Sequence, residues 1–203
     1  MTINEGLKLP GRIVEIPGVG RDDFATFLFE HGYKTGVEIG VNFGEYGTTL
    51  CKAGLKMYGV DCWENYPGYK RVGAYKSQYK EAVENLKGLD YTIIKKYSMD
   101  ALKDFEDNSL DFVYIDSNHT LPYIVQDIFG WERKVKKGGI ISGHDYATIY
   151  GFGERKEPRV FDGVHVKVGV DACVKIMKIP KLYILGTKEN RVDKWRSWFF
   201  YRP

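Results

Sequence analysis

One stretch dictates most of what this chain can fold into: Val37-Glu38-Ile39-Gly40-Val41-Asn42-Phe43-Gly44-Glu45-Tyr46-Gly47-Thr48-Thr49-Leu50. It reads as a short apolar strand, a glycine-punctuated turn and the start of a helix. Glycine tolerates φ > 0 and lets a ligand approach the backbone, while the helix that follows offers unpaired N–H groups to anionic atoms. Such a corner belongs to an α/β fold. The rest of the chain agrees, alternating strand-like runs such as Met57–Val60, Tyr91–Ile94, Leu110–Asp116 and Ile140–Ser142 with helix-periodic segments.

The spacing narrows the ligand. A dinucleotide fingerprint needs a second glycine where Asn42 stands and a third where Glu45 stands, so NAD is disfavoured. A Walker loop needs lysine after its last glycine, and neither Gly44 nor Gly47 is followed by one. Glu38 at the strand end suits a ligand bearing an ammonium group, and S-adenosylmethionine (SAM) carries one. Met57-Tyr58-Gly59-Val60 then ends at Asp61, roughly 20 residues past the turn, where an acid can accept ribose hydroxyls. Taken alone, the glycines are equally compatible with a tight corner that binds nothing.

In combination, E-I-G-x-x-x-G, G-V-D, I-D-S-N-H (115–119) and G-G-I-I-S-G-H-D-Y (138–146) resemble a class I SAM-dependent methyltransferase. The nearest group is the small methyltransferases with D-x-x-H and G-H-D-Y motifs, methyltransferase domain family 24, and the resemblance spans roughly residues 33–146. It implies a Rossmann-like fold: a mostly parallel seven-stranded sheet, an antiparallel C-terminal strand pair near 181–186 and 195–201, and helices on both faces. It also implies cofactor contacts at Glu38, Gly40, Asn42, Gly44, Thr48, Asp61, Cys62, Ser98, Met99, Asp116 and Ser117, with Ser98 and Met99 beside the adenine.

The remaining polar residues of these motifs suggest chemistry. Asp116, His119, His144 and Asp145 leave the ends of neighbouring strands, where ligands of open parallel sheets bind. In metal-dependent O-methyltransferases of this type, an acid after the fourth strand and two polar ligands after the fifth hold the ion. Those positions match Asp116, His144 and Asp145 here, and Mg²⁺ or another divalent ion is the expected guest. His144 departs from the oxygen ligand usual in that family, which shifts preference towards Mn, Fe or Zn. His119, with an ordinary pKa of about 6.5, is the candidate general base, alongside Asp116 and His144 in the catalytic set. The plainer alternatives are a His144–Asp145 pair that orders its loop and a His119 that caps the next helix.

Length and composition bound the rest. The 203 residues suit one domain, 1–203, with residues 1–20 as an N-terminal arm because Pro10-Gly11 and Pro17-Gly18 punctuate it; a homo-oligomer using that arm is a candidate assembly. A net charge of +3 with scattered lysines gives no reason to expect nucleic acid, despite the aromatic and basic stretch 62–71. Three cysteines without C-x-x-C spacing argue against disulfides and zinc. No run is long and apolar enough for a membrane span and no signal-peptide pattern opens the chain, so a cytoplasmic location is expected. The acceptor is expected to be a small hydroxylated molecule, with a sugar as one candidate and residues 147–162 as its loop. An NAD-dependent oxidoreductase and a non-catalytic SAM-fold binding module are the competing functions.

Overall fold

The computed structural model describes residues 1–64, 75–150, 163–190 and 192–203. In chain order it contains α1 (Ile3–Gly6), β1 (Ile13–Ile16), α2 (Arg21–Glu30), β2 (Thr35–Ile39), α3 (Glu45–Lys52), β3 (Lys56–Asp61), α4 (Tyr75–Asn85) and β4 (Tyr91–Lys95). There follow α5 (Ser98–Ala101), β5 (Leu110–Ile115), α6 (Leu121–Glu132), β6 (Val135–Gly143), β7 (Ile149–Tyr150), β8 (Gly163–Val164), α7 (Val166–Ile176), β9 (Leu182–Leu185) and β10 (Trp198–Tyr201). Most of the expected substrate loop, and residues 65–71 of the aromatic stretch, lie outside the described residues.

The main sheet has the order β1-β9-β10-β6-β5-β2-β3-β4. Neighbours are parallel except that β10 runs against both β6 and β9, which is the antiparallel closure expected at the C-terminal end. The sheet has eight strands where seven were expected. Residues 1–20 are the reason: instead of an arm they form α1 and β1, and β1 pairs in parallel with β9 through Ile13↔Leu182 to Ile16↔Leu185. Val14 and Ile16 are thereby buried, and apolar burial outweighs the glycine and proline content that suggested a loose segment.

Side-chain alternation divides the core. Along β5, Phe112 and Tyr114 face α2 and α3, joining Phe24, Leu28 and Leu50, while Val113 and Ile115 face α6 and α7, joining Ile128, Trp131 and Val170. With both faces covered, polar groups of the central strands are free only where the strands end. At that end Gly40 and Asp61 leave β2 and β3, Asp116 leaves β5, and His144 leaves β6. No helix among the described residues is long and apolar enough to cross a membrane.

Tyr91 ties this rim to the sheet. Its ring lies over Gly59 of β3 and Gly47 of α3, and its hydroxyl donates to Glu38 Oε2 at 2.6 Å. A Cβ at Gly59 would overlap the Tyr91 hydroxyl. Gly59→Ala should therefore destabilise the protein by about 1–3 kcal/mol through overpacking. A denaturant midpoint equal to that of the unsubstituted chain would show that Tyr91 does not depend on this gap.

Candidate active site

The glycine turn is built by close approach. Gly40 has φ of 93°, and a Cβ there would overlap the Asp116 carbonyl oxygen and stand 2.9 Å from Ser117 Cα. Backbone bonds clamp the strand exits together: Gly40 N–H donates to Val60 O and Asp116 N–H to Ile39 O, both at 2.8 Å. Asp61 fastens the next segment, accepting from the N–H groups of Val41 and Asn42 at 3.0 Å and of Trp63 at 2.8 Å. A carboxylate has about four acceptor positions, so Asp61 retains about one beyond these three bonds. Asn42 O accepts from Trp63 Nε1 at 2.9 Å, completing the stitching.

These exits enclose a cavity of about 310 Å³. Of the expected cofactor residues it is lined by Gly40, Asn42, Asp61, Cys62, Ser98, Met99, Asp116 and Ser117. Glu38, Gly44 and Thr48 do not line it. Glu38 alternates with Val37 and Ile39 to the face under α3, where it is 2% exposed and bonded to Tyr91. Burial, only partly offset by the Tyr91 bond, pushes its pKa up to about 8 and favours its protonated form. Thr48 Oγ1 donates to Gly44 O at 2.8 Å, and Gly44, with φ of 79°, is the left-handed residue that starts α3. Both serve the corner's shape.

Asp127, which sequence reasoning missed, lies in the cavity wall at 4% exposure. Ser98 Oγ donates to its Oδ1 at 2.5 Å and Ser117 Oγ to its Oδ2 at 2.6 Å, while Trp131 Nε1 donates to Ser98 Oγ at 2.8 Å. One carboxylate thus joins the turns after β4 and β5. Its signal was available: an acid on the apolar stripe Ile124, Ile128, Trp131 of α6 has no place there unless it is bonded. Burial, against the two serine bonds, raises its pKa to about 6.

The second half of the rim is a four-residue cluster. His119 Nε2 lies 3.2 Å from Asp116 Oδ1 and 2.9 Å from Asp145 Oδ2. His144 Nδ1 lies 3.3 Å from Asp145 Oδ1 and 3.7 Å from Asp116 Oδ2. Burial would lower the pKa of His119, but its bonds to Asp116 and Asp145 outweigh this and raise it to about 10. The expectation of an ordinary imidazole poised near neutrality is corrected accordingly: with both carboxylates free, His119 keeps its proton. The same balance raises His144 and lowers Asp145.

Two atoms in the cluster, His144 Nε2 and Asp145 Oδ1, are buried without a hydrogen-bond partner among the described residues. Asp145 also holds φ of 54°, an uncommon conformation for a non-glycine residue that turns up at functional sites. Ligand atoms of Asp116, His144 and Asp145 all lie within 4.8 Å of one another. Two carboxylates and an imidazole, with orphaned polar atoms among them, fit a divalent transition ion as well as Mg²⁺.

The family model of a methyltransferase domain matches residues 37–146. The uncharacterized protein y4gI of Sinorhizobium fredii (strain NBRC 101917 / NGR234) is 26% identical over 132 residues, which is 58% of this chain, and the match spans 14% of that relative's length. Among solved structures, the O-methyltransferase from Bacillus cereus in complex with SAH aligns with TM-score 0.59 at 13% identity, covering 98% of this chain and 87% of that one. The O-methyltransferase TomG of Streptomyces achromogenes, in complex with SAM, aligns with TM-score 0.59 at 14% identity over 90% of this chain and 79% of that one. At these identities the likeness is one of fold, and the fold is the Rossmann-like methyltransferase architecture expected from the sequence.

Asp127 gives a pH signature. Its folded pKa lies above the ordinary carboxylate value, so its contribution to stability is greatest below about pH 4 and is lost as pH rises through about 6. Between pH 7 and 4.5 the stability of the unsubstituted protein relative to Asp127→Asn should shift in its favour by roughly 1–3 kcal/mol. Parallel stability curves in urea titrations of the two proteins would contradict the assignment.

Proposed function

The chain belongs to the methyltransferase domain family, and from that membership we propose that it transfers the methyl group of SAM to a hydroxyl of a small acceptor, with a divalent cation assisting. The observation that carries this reading is Asp116. It lines the cavity and is also a member of the His119–His144–Asp145 cluster, so a donor in the first would meet an acceptor at the second. The SAM and SAH held by two proteins of like fold support the choice of donor.

In this reading the ribose lies at Asp61 and the adenine beside Ser98 and Met99, whose turn Asp127 holds in place. Asp116, where the cavity meets the cluster, would then face the reacting methyl group. The S–CH₃ bond breaks as the O–CH₃ bond forms, the sulfonium becomes a neutral thioether, and the acceptor hydroxyl gives up its proton. Holding the two partners in line contributes much of the acceleration. A cation bound by Asp116, His144 and Asp145 would act as a Lewis acid that lowers the pKa of the acceptor hydroxyl. His119 Nε2 can take the proton only when Asp116 and Asp145 no longer hold one on it, so carboxylate engagement and proton acceptance are linked at this atom. The NAD-dependent alternative is not favoured, since Asn42 and Glu45 occupy the glycine positions a pyrophosphate needs.

The test is methyl transfer from tritium-labelled SAM to a panel of catechols and sugars with Mg²⁺ or Mn²⁺. Product should form with at least one acceptor, vanish on exhaustive chelation and return when the cation is restored. Tight SAH binding with no product from any acceptor would leave a binding module, and undiminished transfer after chelation would remove the cation from the reaction.

A further inference from the structure

Arg21, the first residue of α2, brings a charge to the rim that the reaction as described does not use. Its guanidinium carbon stands 5.2 Å from the centroid of the Tyr46 ring, and among the described residues its side chain has no hydrogen-bond or ion-pair partner. The backbone beneath it is fixed from two sides. Its N–H donates to Asp193 Oδ2 at 2.8 Å, and its carbonyl accepts from Tyr46 Oη at 3.0 Å. The Tyr46 ring in turn lies 4.4 Å from that of Tyr114, two residues before Asp116 on the same side of the strand.

Arg21, Tyr46 and Tyr114 therefore form a ladder that leads to Asp116 from the face opposite the α6 side of the sheet. The charges interact across it. Burial would lower the pKa of Arg21, but Tyr114, Asp116 and Asp193 raise it on balance, and Arg21 in turn acts on His144. Asp116 itself is occupied by His119, so the guanidinium is left with five donors and a preset planar fork on a residue that is only partly exposed. A group of this kind is completed by an oxyanion, which accepts two parallel N–H bonds.

We propose that Arg21 anchors an oxyanion, a carboxylate or a phosphate, carried by the acceptor, so that the molecule methylated is an anionic one whose hydroxyl reaches the Asp116–His119 end. This rests on the methyl-transfer reading and specifies its substrate class. Tyr46 serves as the floor that fixes the guanidinium plane, and the α2 backbone bonds keep the fork from swinging away.

Matched acceptors test this: 3,4-dihydroxybenzoate against catechol, D-glucuronate against D-glucose, and D-glucose 6-phosphate as the phosphate arm. Each is assayed for methyl transfer and, independently, for binding to the SAH-loaded protein by calorimetry. The charged member should be favoured by about tenfold to a hundredfold in kcat/KM or affinity. Arg21→Gln should erase the preference without changing SAH affinity or melting temperature, and Arg21→Lys should restore part of it; the arm that responds identifies carboxylate or phosphate. Equal use of charged and neutral members, or a preference that survives Arg21→Gln, would overturn the anion site and leave methyl transfer standing. A chain that binds neither SAM nor SAH would overturn both.

Discussion

The whole rim depends on one close approach, that of Gly40 to the backbone of Asp116 and Ser117. No side chain fits between them, so the exits of β2 and β5 are pressed together and tied by Asp116 N–H to Ile39 O. That contact has two consequences. It closes the floor of the cavity under the Asp61-stitched turn, and it fixes the height at which the Asp116 carboxylate emerges. Because β6 pairs directly with β5, with Ile115 opposite Gly143, His144 and Asp145 then arrive beside Asp116 without any further device. A fold whose faces are otherwise sealed thus presents its polar groups at a single edge.

What gathers there is electrostatically self-contained yet not at rest. Two imidazoles and two carboxylates can neutralise one another, and His119 bridges Asp116 and Asp145 through a single nitrogen. One N–H cannot satisfy two carboxylates fully, and among the described residues His144 Nε2 and Asp145 Oδ1 have no hydrogen-bond partner. Burying such atoms costs of the order of 1–3 kcal/mol each. A left-handed Asp145 adds backbone strain to the same few residues. An arrangement of this kind is at its most stable when something from outside completes it, and the guanidinium of Arg21 one ladder away, without an ion-pair partner among the described residues, has the same property.

The alternation of strands and helices was legible in the sequence, as was the gathering of Gly40 and Asp61 at one cavity, because each is carried by a local pattern with a local cause; Ser98 and Met99, which line the same cavity, were named only through the family resemblance. What was not legible depended on contacts far apart in the chain. β1 is a strand only because β9, some 170 residues later, gives it a partner, and a proline-flanked run of four residues does not announce that. Glu38 was read as facing the ligand because it ends a strand, yet parity along β2 turns it under α3, where Tyr91 waits from β4. The titration of His119 is set by Asp116 and also by Asp145, 26 positions away, so its ordinary pKa was a poor guide. Asp127 lay in plain view on an apolar helix face, and weighing why an acid should stand there would have found it.

In the proposed reaction Asp116 joins a cofactor cavity to a cation and acceptor centre. The most direct measurement is a crystal structure of the protein with SAH and Mn²⁺, using anomalous scattering at the manganese edge. SAH is expected in the cavity between Asp61 and Ser98, its sulfur towards Asp116, with an anomalous peak among Asp116, His144 and Asp145. SAH bound elsewhere, or a filled cavity with no manganese at those three residues under saturating Mn²⁺, would contradict it.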